Sequence, residues 1–361
     1  MIYLDHHAAT PLDPAARDAM HQALGAQANP SSAHGPGREA RARLEATRRA
    51  VATAIGAEPA DIVLTSGGTE ACNLALTAAR GDVVIGALEH PAVVRAAERI
   101  THATGSSVIR LPAYGSIDAL QIILDTRRAV APLVAMQWVN HETGRIAPIL
   151  EFAARCRTRG ALLFVDATQA LGKIPVDVAG IDLLAISSAK IGGPLGAGAL
   201  YVRRGLDLDP LLVGSADERG RRAGSPALLS MVGFETALGT LPSRLATQSS
   251  IAARRDAIEA HLLSLGAVPN ETTPRVATVT NVSHPNWKGE LLVAALDVEG
   301  LAVSSGAACS SGLSEPSPVL LALHPNQAWR ASAALRVSLG PETSDADVEA
   351  AKRILARVLS R

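Results

Sequence analysis

The sequence has few aromatic residues and no excess of charge of either sign. Phe, Trp and Tyr make up 2% of the 361 residues, and 34 Lys and Arg side chains balance 34 Asp and Glu side chains. Such a chain has no basic field to attract nucleic acid or an anionic membrane, and few rings on which bases could stack. We therefore expect neither nucleic acid nor a membrane among its partners.

Cysteine and long apolar runs are scarce as well. The three cysteines are too few for a disulfide framework, and no two have the spacing of a zinc site. The longest uncharged apolar run, 131–139, is too short to span a bilayer. Because an aspartate stands at the fifth position, we expect no signal peptide. These absences predict a soluble cytoplasmic protein without a metal site.

Hydrophobic residues, 48% of the chain, form strand-like and helix-like patterns in alternation. Short apolar runs predict buried strands at 61–66, 82–87, 133–139, 161–167, 182–187 and 198–203. Amphipathic segments between them indicate an α/β fold with a mostly parallel sheet, whose ligands bind at the carboxyl ends of the strands. After Gly205 the pattern changes to a long helical stretch and a smaller α+β arrangement. We predict a large domain at 12–248 and a small one at 249–361, with 1–11 packing on either.

The stretch TSGGTEACNLAL (65–76) reads as a strand, a glycine turn and a helix. Backbone N–H groups of Gly67, Gly68 and Thr69 would point from the helix N-terminus at an anion. The stretch lacks the lysine of a P-loop and the spaced glycines of a dinucleotide fold. By itself, such a stretch is more often a plain capped turn than a phosphate site.

Two charged residues stand at the ends of neighbouring predicted strands. Asp166 ends the run FVD, where burial costs several kcal/mol unless a cation meets the carboxylate. Lys190, in ISSAKIGG, has no carboxylate nearby in the sequence. Each has an ordinary alternative, a helix N-cap for Asp166 and a solvated ammonium for Lys190.

Taken together, a glycine turn that can bind phosphate, a buried aspartate and a lysine are the groups that pyridoxal 5'-phosphate (PLP) requires. Backbone N–H groups hold its phosphate, a carboxylate pairs with its pyridine nitrogen, and lysine condenses with its aldehyde. We therefore predict a PLP site. The stretch AVSSGAACSSGLSEPS (302–317) adds Cys309 among small residues, as expected of an exposed nucleophile or of a thiol without a role. Cys72 and Cys156 fall within helical patterns and are predicted to be core residues or surface residues without a role.

These motifs belong to a longer series that resembles one known family. The series covers nearly the whole chain and comprises residues 3–11, 29–37, 65–76, 89–93, 139–144, 165–177, 187–203, 218–226, 304–317 and 335–340. Together they resemble the cysteine desulfurases of the NifS/IscS type, within the class V aminotransferase-like PLP enzymes of fold type I. The resemblance implies a large domain with a mostly parallel mixed sheet, a smaller α+β C-terminal domain and a homodimer.

The resemblance also implies a role for each matching residue. Lys190 would form the Schiff base, Asp166 would pair with the pyridine nitrogen, and His90 would lie over the ring, although a helix-capping histidine is the simpler interpretation. The other cofactor contacts would be made by Gln169 at the phenolic oxygen and by Gly68, Thr69, Ser187 and the partner subunit's Ser225 at the phosphate. Arg336 would bind the substrate carboxylate bidentately, or else be a solvated charge at a strand edge.

The implied reaction converts L-cysteine to L-alanine. The freed Lys190 amine would remove the Cα proton, and the Cys309 thiolate would attack the substrate sulfur and keep it as a persulfide for an acceptor, such as an iron–sulfur scaffold protein. Selenocysteine lyase, aminotransferase and a non-catalytic scaffold are the alternatives. An aminotransferase has no need of Cys309, and a scaffold has no need of Lys190.

Two positions depart from the family pattern. Ala189 replaces the histidine that usually precedes the Schiff-base lysine, so one phosphate contact is missing. His141 stands where the family motif VNNEIG has an asparagine that contacts cofactor or substrate. An imidazole still donates a hydrogen bond but is bulkier and can carry charge. These departures affect expectations of rate, cofactor affinity and substrate choice.

Overall fold

The computed structural model describes residues 1–25, 28–113, 117–126, 131–272, 274–306 and 315–360. Contacts between residues divide the chain into two compact units. The large unit comprises Pro11–Trp138 and Ala147–Pro242, and the small unit comprises Met1–Thr10, Val139–Ile146 and Ser243–Arg361. The domain boundaries expected from the sequence stay a prediction.

The described residues form twelve strands and thirteen α-helices. The strands are β1 (Ile2–Tyr3), β2 (Ile62–Thr65), β3 (Val83–Ile85), β4 (Val108–Arg110), β5 (Leu133–Gln137), β6 (Leu162–Asp166), β7 (Leu183–Ser187), β8 (Gly198–Val202), β9 (Val268–Pro269), β10 (Val279–Ser283), β11 (Leu301–Ala302) and β12 (Ala334–Ser338). The helices are α1 (Pro14–Ala23), α2 (Gly35–Ile55), α3 (Gly68–Leu76), α4 (Pro91–Thr104), α5 (Ile117–Thr126), α6 (Ile149–Arg159), α7 (Leu228–Gly239), α8 (Leu241–Ala246), α9 (Gln248–Ser264), α10 (Gly289–Val298), α11 (Pro318–Leu323), α12 (Trp329–Ser332) and α13 (Asp345–Leu359).

A seven-stranded sheet, counted over the described residues, forms the centre of the large unit. Its order is β2-β8-β7-β6-β5-β3-β4. Strands β7, β6, β5, β3 and β4 run parallel, and β8 is antiparallel to both of its neighbours. Strands β5, β7 and β8 are buried at every position, as expected when helices cover both faces of a sheet. The predicted mostly parallel, mixed sheet is confirmed.

Side chains at the helix N-termini and glycines at the C-termini set several boundaries of the large unit. Asp13, His34 and His90 each accept a backbone N–H at the start of α1, α2 and α4. Helix α2 ends at Gly56, whose φ of 69° lies in the left-handed region that favours glycine. These caps satisfy N–H and C=O groups that a helix end otherwise leaves unpaired.

The small unit contains two small sheets in the described part of the chain. Strand β10 pairs antiparallel with both β12 and β9, and β1 pairs in parallel with β11. Helices α9, α10 and α13 supply buried residues such as Ile258, Leu292 and Leu355 to its hydrophobic core. The α+β arrangement predicted for the C-terminal part is therefore observed.

Several elements differ from the sequence expectations. The long helical stretch predicted from 227 to 265 is divided into α7, α8 and α9. The first break, at Thr240, comes just before Pro242, which lacks the N–H that a continuous helix needs. Strand β4 was not predicted, since its three residues are only partly buried and form no apolar run. No helix among the described residues is long and apolar enough to cross a membrane.

Candidate active site

Asp166 is the last residue of β6 and is 5% exposed. Its Oδ1 accepts the backbone N–H of Thr168 at 3.0 Å, but a turn and not a helix follows, so the helix-cap interpretation is wrong. The sheet register sets Asp166 beside Gln137 of β5 and Ala185 of β7, at the carboxyl edge of the parallel strands. A carboxylate buried there suits a cationic partner such as a protonated ring nitrogen.

The N-terminus of α3 is open to an anion. Gly67 precedes the helix with φ 151° and, as a glycine, offers no side chain to cap the first N–H groups. A Cβ on Gly68 would lie 2.7 Å from Thr168 Cγ2 and 3.4 Å from Ser187 Cβ, so this backbone lies tightly between two neighbouring strand ends. A Cβ on Gly67 would meet nothing within 4 Å. The predicted residues Gly68 and Ser187 thus lie together beside open space, and Thr69 is exposed in the first turn.

Lys190 follows β7 in a 3₁₀ turn, Ser188–Lys190, and is half-buried. Ala189 beside it is 8% exposed. A Cβ on Gly193 would lie 2.0 Å from Ser188 Oγ, which explains why a glycine follows the lysine turn so closely. Lys190 therefore leaves the sheet at the same edge as Asp166.

Gln169 lies three residues after Asp166 and is 3% exposed. Its Oε1 accepts a hydrogen bond from Nζ of Lys173 at 3.0 Å, and Lys173 is itself only 8% exposed. Sequence inspection missed Lys173, because a lysine in the short stretch GKIP (172–175) looks like any solvated charge. Its burial is visible only in the folded chain.

His90 caps α4, and its Nδ1 accepts the backbone N–H of Ala92 at 3.1 Å. The helix-capping interpretation is thus confirmed, and it fixes the ring: a neutral imidazole that accepts at Nδ1 carries its proton on Nε2. A position over the cofactor ring stays a prediction. The cap and that role are compatible, because capping uses one edge of the ring and leaves its faces open.

Glu89, next to His90, is a buried acid that the sequence did not single out. Its Oε1 accepts the backbone N–H of Gln137 at 2.9 Å, and Oε2 has no hydrogen-bond partner among the described residues. Burial, and to a lesser degree the charge of Asp166, raises the pKa of Glu89 well above its ordinary value. Burial thus favours the protonated form of Glu89, and its hydrogen bond to Gln137 ties the segment before His90 to β5.

The two described cysteines are both buried. Burial, and to a lesser degree the charge of Asp166, raises the pKa of the Cys72 thiol well above its ordinary value. Burial and the charge of Asp182 raise the pKa of Cys156 to about 12. Since thiolate is the reactive form, neither cysteine suits a nucleophile, and their burial confirms the core alternative of the prediction. Cys309 lies in 307–314, outside the described residues.

The polar loop before α7 is held by two ion pairs. Arg222 contacts Glu70 at 2.9 Å; burial alone would raise the pKa of Glu70, but hydrogen bonds from Arg222 and Ser66 hold it below its ordinary value. Arg48 and Glu218 are both buried and contact each other at 2.6 Å.

Glu218 also reaches the backbone of β2. Leu64 N–H donates to Glu218 Oε2 at 2.8 Å, and Ile62 C=O accepts from Arg48 Nη1 at 2.7 Å. Glu218 adopts a positive φ of 47°, which is uncommon for a residue other than glycine. Ser225, on the same loop, is exposed, and its contribution to a partner subunit's site stays a prediction.

In the small unit, Arg336 of β12 is 2% exposed, so the alternative of a solvated edge charge is wrong. Its Nη1 donates to the backbone carbonyl of His141 at 3.0 Å, and its Nη2 donates to Asp5 Oδ1 at 2.8 Å. Its Nε has no hydrogen-bond partner among the described residues. The structure therefore brings two predicted residues, His141 and Arg336, together, and it adds Asp5. A held guanidinium with an unused N–H suits a carboxylate ligand.

Glu142, next to His141 in the small unit, is a further buried acid that the sequence did not single out. It is fully buried, and its Oε2 accepts the Ser317 hydroxyl at 2.6 Å. A Cβ on Gly306 would lie 3.2 Å from that same oxygen. Glu142 thus contacts the chain on both sides of 307–314, and its neighbour His141 approaches it to 3.7 Å.

Comparisons with known proteins agree with this geometry. A sequence model of the family described as Aminotransferase class-V matches residues 2–351. This chain belongs to the class V aminotransferase family. It is 38% identical to a cysteine desulfurase of Bradyrhizobium diazoefficiens, with 100% of the chain and 95% of the relative covered. The resemblance inferred from the motifs is thereby confirmed.

Solved structures of class V relatives share the fold. A NifS-like protein from Rickettsia africae matches with a TM-score of 0.91 and 27% identity, over 100% of both chains. A structure described as SspA in complex with cysteine matches with a TM-score of 0.81 and 28% identity, over 94% of this chain and 99% of that one. The cysteine desulfurases of this family use PLP. The predicted α/β fold of the class V enzymes is confirmed.

Proposed function

We propose that this chain is a PLP-dependent cysteine desulfurase that converts L-cysteine to L-alanine and passes the sulfur to an acceptor as a persulfide on Cys309. One observation carries the proposal: a buried Asp166, an open α3 N-terminus and Lys190 lie at one edge of a parallel sheet. The relative that was solved with cysteine supports the choice of substrate.

The residues at this edge fit PLP by their chemistry. Asp166 would hold the pyridine nitrogen, and Gln169 the phenolic oxygen, while His90 would cover the ring. The phosphate would be held by Gly68, Thr69, Ser187 and the partner's Ser225. Bound there and joined to Lys190, PLP would draw electrons from the substrate carbons.

The protein's own groups would perform the remaining tasks. Arg336, held by Asp5 and the His141 carbonyl, would bind the substrate carboxylate and fix its orientation. Nζ of Lys190 would accept the proton from the substrate Cα and later return one to carbon. The Cys309 thiolate would attack the substrate sulfur, so that an S–S bond forms as the C–S bond breaks. The carbon fragment then takes up protons and leaves as alanine.

We also propose a cytoplasmic homodimer whose acceptor is an iron–sulfur scaffold protein. The exposed Ser225, on a loop held by one buried and one partly exposed ion pair, supports a contribution to a second subunit. A two-fold dimer is the commonest oligomer. Light scattering that gives a monomer mass for the active, cofactor-loaded protein would contradict the shared site.

The decisive experiment measures alanine and sulfide released from L-cysteine in the presence of a thiol reductant. We expect equal amounts of both from wild type, and a loss of at least about 100-fold in Cys309→Ala with its cofactor absorption intact. Cys156→Ala, which removes a buried thiol elsewhere, is the matched control. Release from selenocysteine alone would indicate a lyase, and amino transfer to a 2-oxo acid would indicate an aminotransferase.

A further inference from the structure

We propose that Lys173 is a positioning residue for the cofactor: it turns the Gln169 amide so that the nitrogen faces the phenolic oxygen, and it places a positive charge behind that amide. The inference rests on the proposed function, because it requires PLP beside Gln169. It concerns a residue that the family resemblance leaves without a role.

The contact itself is short and buried. Nζ of Lys173 lies 3.0 Å from Gln169 Oε1, and the two residues are 8% and 3% exposed. Backbone hydrogen bonds fix both ends: Ala170 N–H donates to Ala167 C=O, and Lys173 N–H donates to Ala170 C=O, each at 3.0 Å. The pair is thus part of the turn that follows Asp166.

The chemistry of the pair decides which way the amide points. A lysine ammonium has three donors and no acceptor, so it can face only the oxygen of an amide. The nitrogen of Gln169 must then point away from Lys173. A deprotonated phenolic oxygen is purely an acceptor, and only the nitrogen of the amide can serve it. Without Lys173 the amide could rotate by half a turn and present its oxygen instead.

The charge adds a second effect. In a low-dielectric surrounding, a cation bound to the amide oxygen polarises the amide and strengthens its N–H as a donor. Lysine is rare in this chain: four of its 34 basic residues are lysines, at 173, 190, 288 and 352.

The consequence can be measured on the bound cofactor without any turnover. A donor to the phenolic oxygen favours its deprotonated form, so the loss of that donor raises the pH midpoint of the cofactor's visible absorption change. We expect Lys173→Met to raise this midpoint by about one pH unit, which is a tenfold change in proton affinity. Dissociation of PLP should become about tenfold more favourable.

The experiment titrates the absorption spectrum of the holoenzyme in wild type, Lys173→Met, Gln169→Leu and the double variant. If Lys173 acts through Gln169, Lys173→Met causes no further shift in the Gln169→Leu background. Lys352→Met, at a partly exposed lysine of the small unit that pairs with Glu349, is the control and should match wild type. Lys173→Gln, which keeps a donor without the charge, separates orientation from charge and serves if Lys173→Met does not fold.

The outcomes separate this inference from the proposed function. An unshifted midpoint in Lys173→Met and Lys173→Gln, or a full shift in the Gln169→Leu background, would overturn the role of Lys173 and leave a PLP enzyme intact. A wild-type protein that binds no PLP and shows no visible band would overturn both.

Discussion

The two units hold their functional side chains by different means. In the large unit, Asp166 and Lys190 stand where the backbone of a parallel sheet ends, and backbone geometry sets their positions. In the small unit, Arg336 comes from a three-stranded antiparallel sheet and is oriented by other groups, the Asp5 carboxylate and the His141 carbonyl. Changes to single side chains should therefore act locally in the large unit and spread to neighbours in the small one.

Lys190→Ala tests the large unit and should have the largest effect. We expect loss of the borohydride-reducible cofactor linkage and a fall in activity of at least about 100-fold, since the amine is both attachment point and proton carrier. Absorption spectra and peptide mapping after reduction measure this outcome. Lys288→Ala, outside the large unit, is the matched control. A reducible linkage that forms on Lys173 in this variant would contradict the comparison between the units. It would show that a lysine away from the end of β7 can also carry the cofactor.

Arg336→Lys tests the small unit and should have an intermediate effect. Lysine keeps the charge but loses the planar fork, and a charge-assisted hydrogen bond is worth about 1.5–3 kcal/mol, so kcat/KM for L-cysteine should fall about 10- to 100-fold. Asp5→Asn should produce a smaller fall in the same direction, because it leaves Arg336 less firmly held. The PLP dissociation constant should not change in either variant.

Arg357→Lys is the control for this series, since Arg357 is exposed and pairs with Glu299. An equal loss of PLP affinity in Arg336→Lys would indicate that the arginine acts on the cofactor rather than on the substrate. An unaltered kcat/KM in Asp5→Asn would indicate that the Asp5 carboxylate does not orient Arg336.

Glu89→Gln should have the smallest effect, visible mainly as a dependence of stability on pH. Because the pKa of Glu89 is raised in the folded state, that state binds more protons than the unfolded chain once the pH exceeds the ordinary value of 4.5. Wild-type stability thus falls as the pH rises from there towards the folded-state pKa, and the variant lacks this decline. Urea unfolding of both proteins at about pH 4 and about pH 8 measures the difference.

Glutamine can still accept the Gln137 N–H, so any cost that is independent of pH cancels between the two conditions. A stability difference that is the same at both pH values would mean that folding does not raise the pKa of Glu89.

The contrast between the units also explains what the sequence could predict. Asp166, Lys190 and the glycine turn follow apolar runs, and such runs predict both the strand and the edge at which it ends. The partners of Arg336 follow no local pattern, since Asp5 lies 331 positions away in the chain. Glu142 and Ser317 are separated by 175 positions. Only tertiary folding makes such pairs neighbours.

Boundaries were harder to predict than elements. The apolar run 133–139 predicted one strand, but β5 ends at Gln137, and Val139–Ile146 belongs to the small unit. Burial of Lys173 was equally invisible, because a turn sequence does not reveal which side chains the surrounding helices and strands cover. The sequence shows that residue 173 is a lysine, but it does not show that the side chain is buried.

The ion pair between Arg48 and Glu218 has a consequence for the behaviour of the protein at high concentration. Strand β2 is the last strand on its side of the central sheet, and its outward-facing Ile62 C=O and Leu64 N–H are bonded to these two side chains. A bare edge would offer both groups to a strand of another molecule, which is how edge-to-edge aggregation begins. The carboxylate and guanidinium thus make the hydrogen bonds that another strand would make, and they protect this edge from pairing with a second molecule.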